Sequence, residues 1–169
     1  MEFTDATVWE PEPGDTLYHI RRMEEVWYAA DRARMLGSTL GPMSPEERRE
    51  LISSTAQADR RVETIVSPDM FKKGLELAEE MELTKFAREM LESGQGRSFV
   101  YDGPIPLILV IADETVMLAP TDENGIPTAV VVTENEAIRS WVETTLDEYR
   151  DQSTELTADD LPIADTGDD

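Results

Sequence analysis

The chain has no cysteine, a single histidine, only three lysines and no apolar run long enough to cross a bilayer, and each shortage closes off a class of protein. Without cysteine there is neither a disulfide framework nor a thiolate zinc site. With His19 alone, a histidine-rich metal centre is excluded. A membrane-spanning helix needs about 20 consecutive apolar residues. Met1 to Thr16 carries five acids and no base, opposite to the basic start of a secretory signal. A soluble, cytoplasmic protein is expected.

What the chain has in abundance is acid. Aspartate and glutamate number 37 against 15 lysines and arginines, a formal charge of −22 over 169 residues, a length that suits one ordinary domain. Residues 1–16 and 151–169 hold twelve of the acids and no base, yet the middle still carries 25 acids against 15 bases. Such a surface repels phosphate backbones and strains the compact state unless salt screens it. Many carboxylates with twelve arginines and three lysines suit a salt-rich cytoplasm, so a halophilic archaeon is the expected source.

Strand-like runs alternate with helical patterns, which argues for an α/β domain: a mixed sheet with flanking helices, βα units in the first half, an antiparallel meander and a closing helix in the second. Helices are expected over 17–31, with Ile20, Met23, Trp27 and Ala30 on one face, and over 45–58, where Ser44-Pro45-Glu46-Glu47 makes a capping box with proline in the first turn. Ser67-Pro68 repeats that start for a helix with Phe71, Leu75, Ala78 and Met81 inward, and a shorter helix follows from Thr84 to near Gly94. Strands are expected over 34–40, 61–66, 97–102, 107–112, 116–119 and 128–132. Thr133-Glu134-Asn135-Glu136 reads as a capping box for the closing helix, whose apolar face is Ile138, Trp141, Val142, Thr145, Leu146 and Tyr149. The expected organisation is an acidic arm or strand over 1–16, a domain over 17–150 and a mostly disordered acidic tail over 151–169.

Enzyme templates fail in turn. No nucleophile elbow accompanies His19, which reads as a surface or boundary residue. Gly94-Gln95-Gly96 lacks the third glycine of a dinucleotide loop, and a strand follows it. Aligning Gly125 to a calcium loop leaves Pro120 and Val131 at positions that need oxygen ligands. Carboxylate pairs such as Glu79-Glu80 and Asp159-Asp160 are adjacent in sequence and belong to solvated surface. The methionines and tryptophans fall at core spacings. No catalytic residue, metal site or cofactor is expected. The doublets Arg21-Arg22, Arg48-Arg49 and Arg60-Arg61 sit among acids and read as surface ion pairs, so direct nucleic-acid binding is not expected either.

A ligand pocket, if present, belongs beyond the carboxyl ends of the first two strands, where two serine-capped helices begin. Ser44 and Ser67 mark those helix N-termini, with Ser38, Asp69 and Tyr101 able to complete a site for a small anionic or hydroxylated metabolite.

Several phrases carry a resemblance: Thr7-Val8-Trp9-Glu10-Pro11-Glu12-Pro13, the strand phrase 34–40, Ile65-Val66-Ser67-Pro68-Asp69 and, above all, the stretch from Tyr101-Asp102-Gly103-Pro104 to Ala112-Asp113. With the Trp-bearing closing helix that ends Asp147-Glu148-Tyr149-Arg150, they resemble the effector domain that follows the winged helix in archaeal regulators of the methanogenesis and filamentation type, over about residues 6–156. The resemblance implies a sensory or dimerising module, related to TrmB-type effector domains and more distantly to phospholipase D-like domains. The phospholipase His-x-Lys pair is absent, since Arg21 stands two after His19. Such regulators carry a DNA-binding winged helix upstream, and too few residues precede Leu17 to form one. The expectation is an effector domain whose partners are a second copy of itself or a winged-helix chain, with the meander's edge strand and the Trp141 helix as candidate interfaces; a non-enzymatic acidic adaptor that binds a partner protein is the alternative.

Overall fold

Apolar β-branched runs dominate the strands, and the computed structural model, which describes residues 6–38, 44, 46–50 and 59–161, assembles them into one eight-stranded sheet. The strands are β1 (Thr7–Trp9), β2 (Arg32–Gly37), β3 (Arg61–Val66), β4 (Gly96–Val100), β5 (Leu107–Ala112), β6 (Thr115–Pro120), β7 (Val130–Thr133) and β8 (Thr154–Leu156). Their order is β1-β7-β6-β5-β2-β3-β4-β8. β2, β3 and β4 run parallel, and all other pairings are antiparallel. The expected mixed sheet and meander are present. β7 is not the meander's free edge, however, because β1 pairs along it and takes that place.

Helices cover both faces. α1 (Tyr18–Ala29), α2 (Pro68–Glu80) and α3 (Thr84–Ser93) lie on one face, and α4 (Glu136–Asp151) lies on the other. β5 is apolar throughout because it is central: Ile108 and Val110 face the α1 side, whereas Leu109 and Ile111 face α4. Ile138, Val142 and Leu146 recur at every fourth position, so one stripe of α4 is fully buried on the sheet. Trp141 falls off that stripe and is 43% exposed, so it is not core.

Helix starts follow local chemistry, with one shift. Ser67 Oγ accepts from Met70 N ahead of Pro68, and Ser44 and Glu47 bond each other's backbone N–H reciprocally. α4 is capped by Asn135, which accepts from Ile138 N; the expected cap Thr133 ends β7, is buried, and accepts from Asn135 N instead. Gly94 closes α3 in the left-handed conformation that glycine adopts without strain.

Two expectations are overturned. His19 is buried, 2% exposed, and its Nε2 lies 2.7 Å from the carbonyl oxygen of Pro127, tying α1 to the loop before β7. The expected disordered tail is structured as far as Leu161: β8 adds to the edge of β4, Thr157 and Asp160 cap a 3-10 turn at Ala158–Asp160, and Leu161 is buried. Residues 162–169 lie outside the described residues, as do parts of the expected strand 34–40 and helix 45–58.

Candidate functional site

The α2 stripe is the first sign of a site. Phe71, Leu75 and Ala78 face the sheet at helical spacing yet are only partly buried, as are Phe86, Ala87, Met90 and Leu91 on α3. A cavity separates the α2 stripe from the sheet, whereas α3 comes down on the sheet beside it, with Met90 packed against Gly96 of β4. The cavity has two lobes, of about 350 and 300 Å³, which share walls at Trp27, Tyr28, Thr64, Phe71, Ala78 and Ser98. That size is within the range of small-molecule pockets. The deeper walls are apolar, and Thr64 Oγ1 and Ser98 Oγ, 3.1 Å apart across β3 and β4, form a polar patch on the sheet floor.

One end of the cavity is charged. Arg48, from the helical stretch 46–50, is 5% exposed; its Nη1 lies 2.6 Å from Glu24 on α1 and donates to the Tyr28 hydroxyl at 3.1 Å. Burial pushes the Arg48 guanidinium down, but Tyr28 and Glu24 more than compensate and hold its pKa above the ordinary value. Burial raises that of Tyr28, against the opposing pull of Arg48. Arg60, just before β3, donates from Nε to Ala30 O at 2.9 Å and from Nη2 to Trp27 O. Its guanidinium carbon sits 5.4 Å from the Trp27 ring centroid and 5.8 Å from that of Tyr28. Burial lowers its pKa, and the more distant Asp113 and Asp31 do not restore it.

The expected arginine doublets therefore split. Arg48 and Arg60 turn inward, whereas Arg49 and Arg61 stay exposed, so the surface reading fails for Arg48 and Arg60. Arg21 does make a surface ion pair, at 2.6 Å from Asp15, and Arg22 lies over the Trp9 ring.

Of the five residues expected to bind a ligand, three are brought into a row. Gly37 pairs with Val66 and Val66 with Val100, so Ser38, Ser67 and Tyr101 leave adjacent parallel strands at their carboxyl ends. The side chains of Ser67 and Tyr101 have other work. Ser67 caps α2, and the Tyr101 ring packs edge-on against Tyr149 of α4, centroids 4.8 Å apart, on the opposite face from the cavity. Ser44 caps its own helix and Asp69 is exposed in the first turn of α2. None of the five lines either lobe. Sequence reasoning missed Tyr28, Arg48, Arg60 and Glu24; Arg48 stands between Glu47 and Arg49, and Arg60 between Asp59 and Arg61, so no local pattern marks either as turning inward.

The model of a family described as the methanogenesis regulatory protein FilR1, middle domain, matches residues 18–152, from the start of α1 to the end of α4. The chain belongs to this family. In this member the FilR1-type middle domain is built on a sheet with a partly open cavity on its α1 face. Among curated proteins none matches the sequence.

Solved structures share the fold. The archaeal chromatin protein TrmBL2 superimposes with a TM-score of 0.60 at 13% identity, over 89% of this chain and 55% of that one. Phosphatidylserine synthase from Haemophilus influenzae gives 0.60 at 16% identity over 95% and 42%. The phospholipase D family member Nuc from Salmonella typhimurium gives 0.56 at 10% identity over 90% and 97%. This chain spans about half the length of the first two. The phospholipase D-like architecture is present, and His19, buried against Pro127, lines neither lobe of the cavity. Among the described residues no group of three or more His, Asp or Glu gathers as a metal site, and no helix is long and apolar enough to cross a membrane.

Proposed function

We propose that this chain is the ligand-sensing, dimerising effector domain of a transcription regulator from a halophilic archaeon, and that it catalyses no reaction. The observation that carries the reading is the two-lobed cavity between the sheet and α1, α2 and α3, inside a domain of a regulator family. A ligand there would draw α2 toward the sheet, and a change in helix position is the kind of signal a sensory domain passes to DNA-binding elements. DNA contact is made outside this chain's described surface, because a molecule at −22 with scattered arginines offers phosphate no continuous basic stripe.

Thermal unfolding in molar KCl across a metabolite panel tests sensing. A ligand at 100 times its dissociation constant adds about 2.7 kcal/mol to stability. A panel with no stabilising member leaves the adaptor that binds a partner protein as the better reading. Dimerisation is supported by the exposure of Trp141 on α4, a large apolar ring at the surface beside the exposed Ser140 and Thr144. Light scattering is expected to give twice the 19.0 kDa of one chain.

A further inference from the structure

We propose that the cavity binds an amphipathic monoanion, a molecule with an apolar chain or ring body and one carboxylate-like group, and that Arg60 is the residue that receives the charge. This rests on the reading of the cavity as a sensory site and goes further by naming the class of ligand.

The argument begins with charge balance. Three arginines, Arg48, Arg60 and Arg97, line the larger lobe; Glu24 pairs with the first of them and Glu155 with the last. Among the described residues no carboxylate lies within ion-pairing distance of Arg60, in a chain that carries 37 acids. A lining with one surplus positive charge inside a molecule of −22 selects for an anion.

The donors of Arg60 are also divided. A guanidinium has five N–H groups in a fixed plane. Nε and Nη2 hold the carbonyls of Ala30 and Trp27 at the end of α1, while Nη1 has no partner among the described residues. Contact with the Trp27 and Tyr28 rings fixes the plane, so the free edge is oriented before any ligand arrives. Burial depresses its pKa by more than Tyr28, Asp113 and Asp31 raise it, a deficit that an incoming anion would correct. The body of the ligand would lie against Phe71, Leu77, Met81, Phe86 and Met90, which are apolar and lack a charge to satisfy. A sugar or a nucleotide suits these walls poorly, because its hydroxyls would lose water without gaining partners.

The test uses octanoate and its neutral counterpart 1-octanol, titrated into the whole chain at one fixed salt concentration and followed by calorimetry and thermal unfolding. Octanoate is expected to bind about tenfold more tightly than octanol, the worth of a charge-assisted hydrogen bond in a partly buried site. Arg60→Met, which keeps the stem on Trp27, is expected to abolish that preference, and Arg60→Lys to retain part of it. Because Arg60 also caps α1, both variants lower the starting stability, but a purely structural role would leave the ratio between the two probes unchanged. Gly74→Leu fills the cavity from α2: Gly74 lines both lobes on the same face as Phe71 and Ala78, and a Cβ there meets nothing within 4 Å. It is expected to block both probes. Equal binding of octanoate and octanol, unchanged in Arg60→Met, overturns the anion assignment and leaves the sensory cavity standing. Binding that survives Gly74→Leu, or no binding of either probe to the unaltered chain, overturns both.

Discussion

Asp113 holds a left-handed backbone conformation, φ 54°, in the turn between β5 and β6, and the strain is offset by what its carboxylate does. It accepts from the N–H of Asp31 at 3.2 Å and of Arg32 at 3.0 Å, joining the turn to the start of β2. Asp113→Ala keeps the strain and loses the bonds, so a loss of about 2 kcal/mol is expected in urea unfolding, with Asp113→Asn well below that. Arg48 is a second residue whose removal is costly, since Glu24 would stay buried without its cation. Arg48→Ala is expected to cost about 3 kcal/mol, and adding Glu24→Gln should recover much of it, a coupling that a double-mutant cycle measures.

At the scale of the element, α4 and β8 show how different amounts of pattern are held in place. α4 needs no help beyond its stripe, although Arg34 reaches from β2 to Glu63 on β3 and to Asp147 on α4, at 2.6 and 2.8 Å, and adds a tie between the helix and its sheet. β8 has three residues and one inward apolar side chain, so it depends on backbone pairing with β4 and on Arg97, which donates twice to Glu155 at 3.1 Å. The hydrogen bond from Arg97 holds the Glu155 carboxyl below the ordinary carboxylate range. Since its pKa is depressed on folding, the stabilisation is complete at neutral pH and is lost as the pH falls from the ordinary value through the lowered one. Amide protection of β8 is therefore expected to decline in acid, less steeply in Glu155→Gln. Both side chains are about half exposed, so molar salt should erase most of the difference.

For the whole molecule, charge sets the working conditions. At −22, self-repulsion opposes the compact state, so the unfolding temperature is expected to rise as KCl goes from tens of millimolar to molar. A flat or falling response would contradict the halophilic assignment. In a gel shift, duplex DNA should remain unbound by this chain at every salt concentration, because screening relieves repulsion and weakens any counterion-release attraction together.

The sequence by itself determined the elements whose physics is local. The stripe of α4, the cap and proline that start α2, the apolar run of β5 and the span of β3 all follow from spacing and side-chain type within a few residues. So did the phrases that carry the family resemblance. Tertiary structure decided everything that depends on residues far apart. His19 is buried because Pro127, more than a hundred residues later, supplies an acceptor. β8 exists because β4 presents an unpaired edge, which no pattern in 154–156 announces. Ser38, Ser67 and Tyr101 were correctly placed at the carboxyl ends of neighbouring strands, but packing gave Tyr101 to Tyr149 and left the space on the other face. The cavity is the clearest case: the stripe of α2 indicates which way Phe71 and Ala78 point, whereas the gap between them and the sheet is a property of several helices and strands at once. For the same reason Arg48 and Arg60 read as surface charges in the chain and become the polar end of a pocket in the fold.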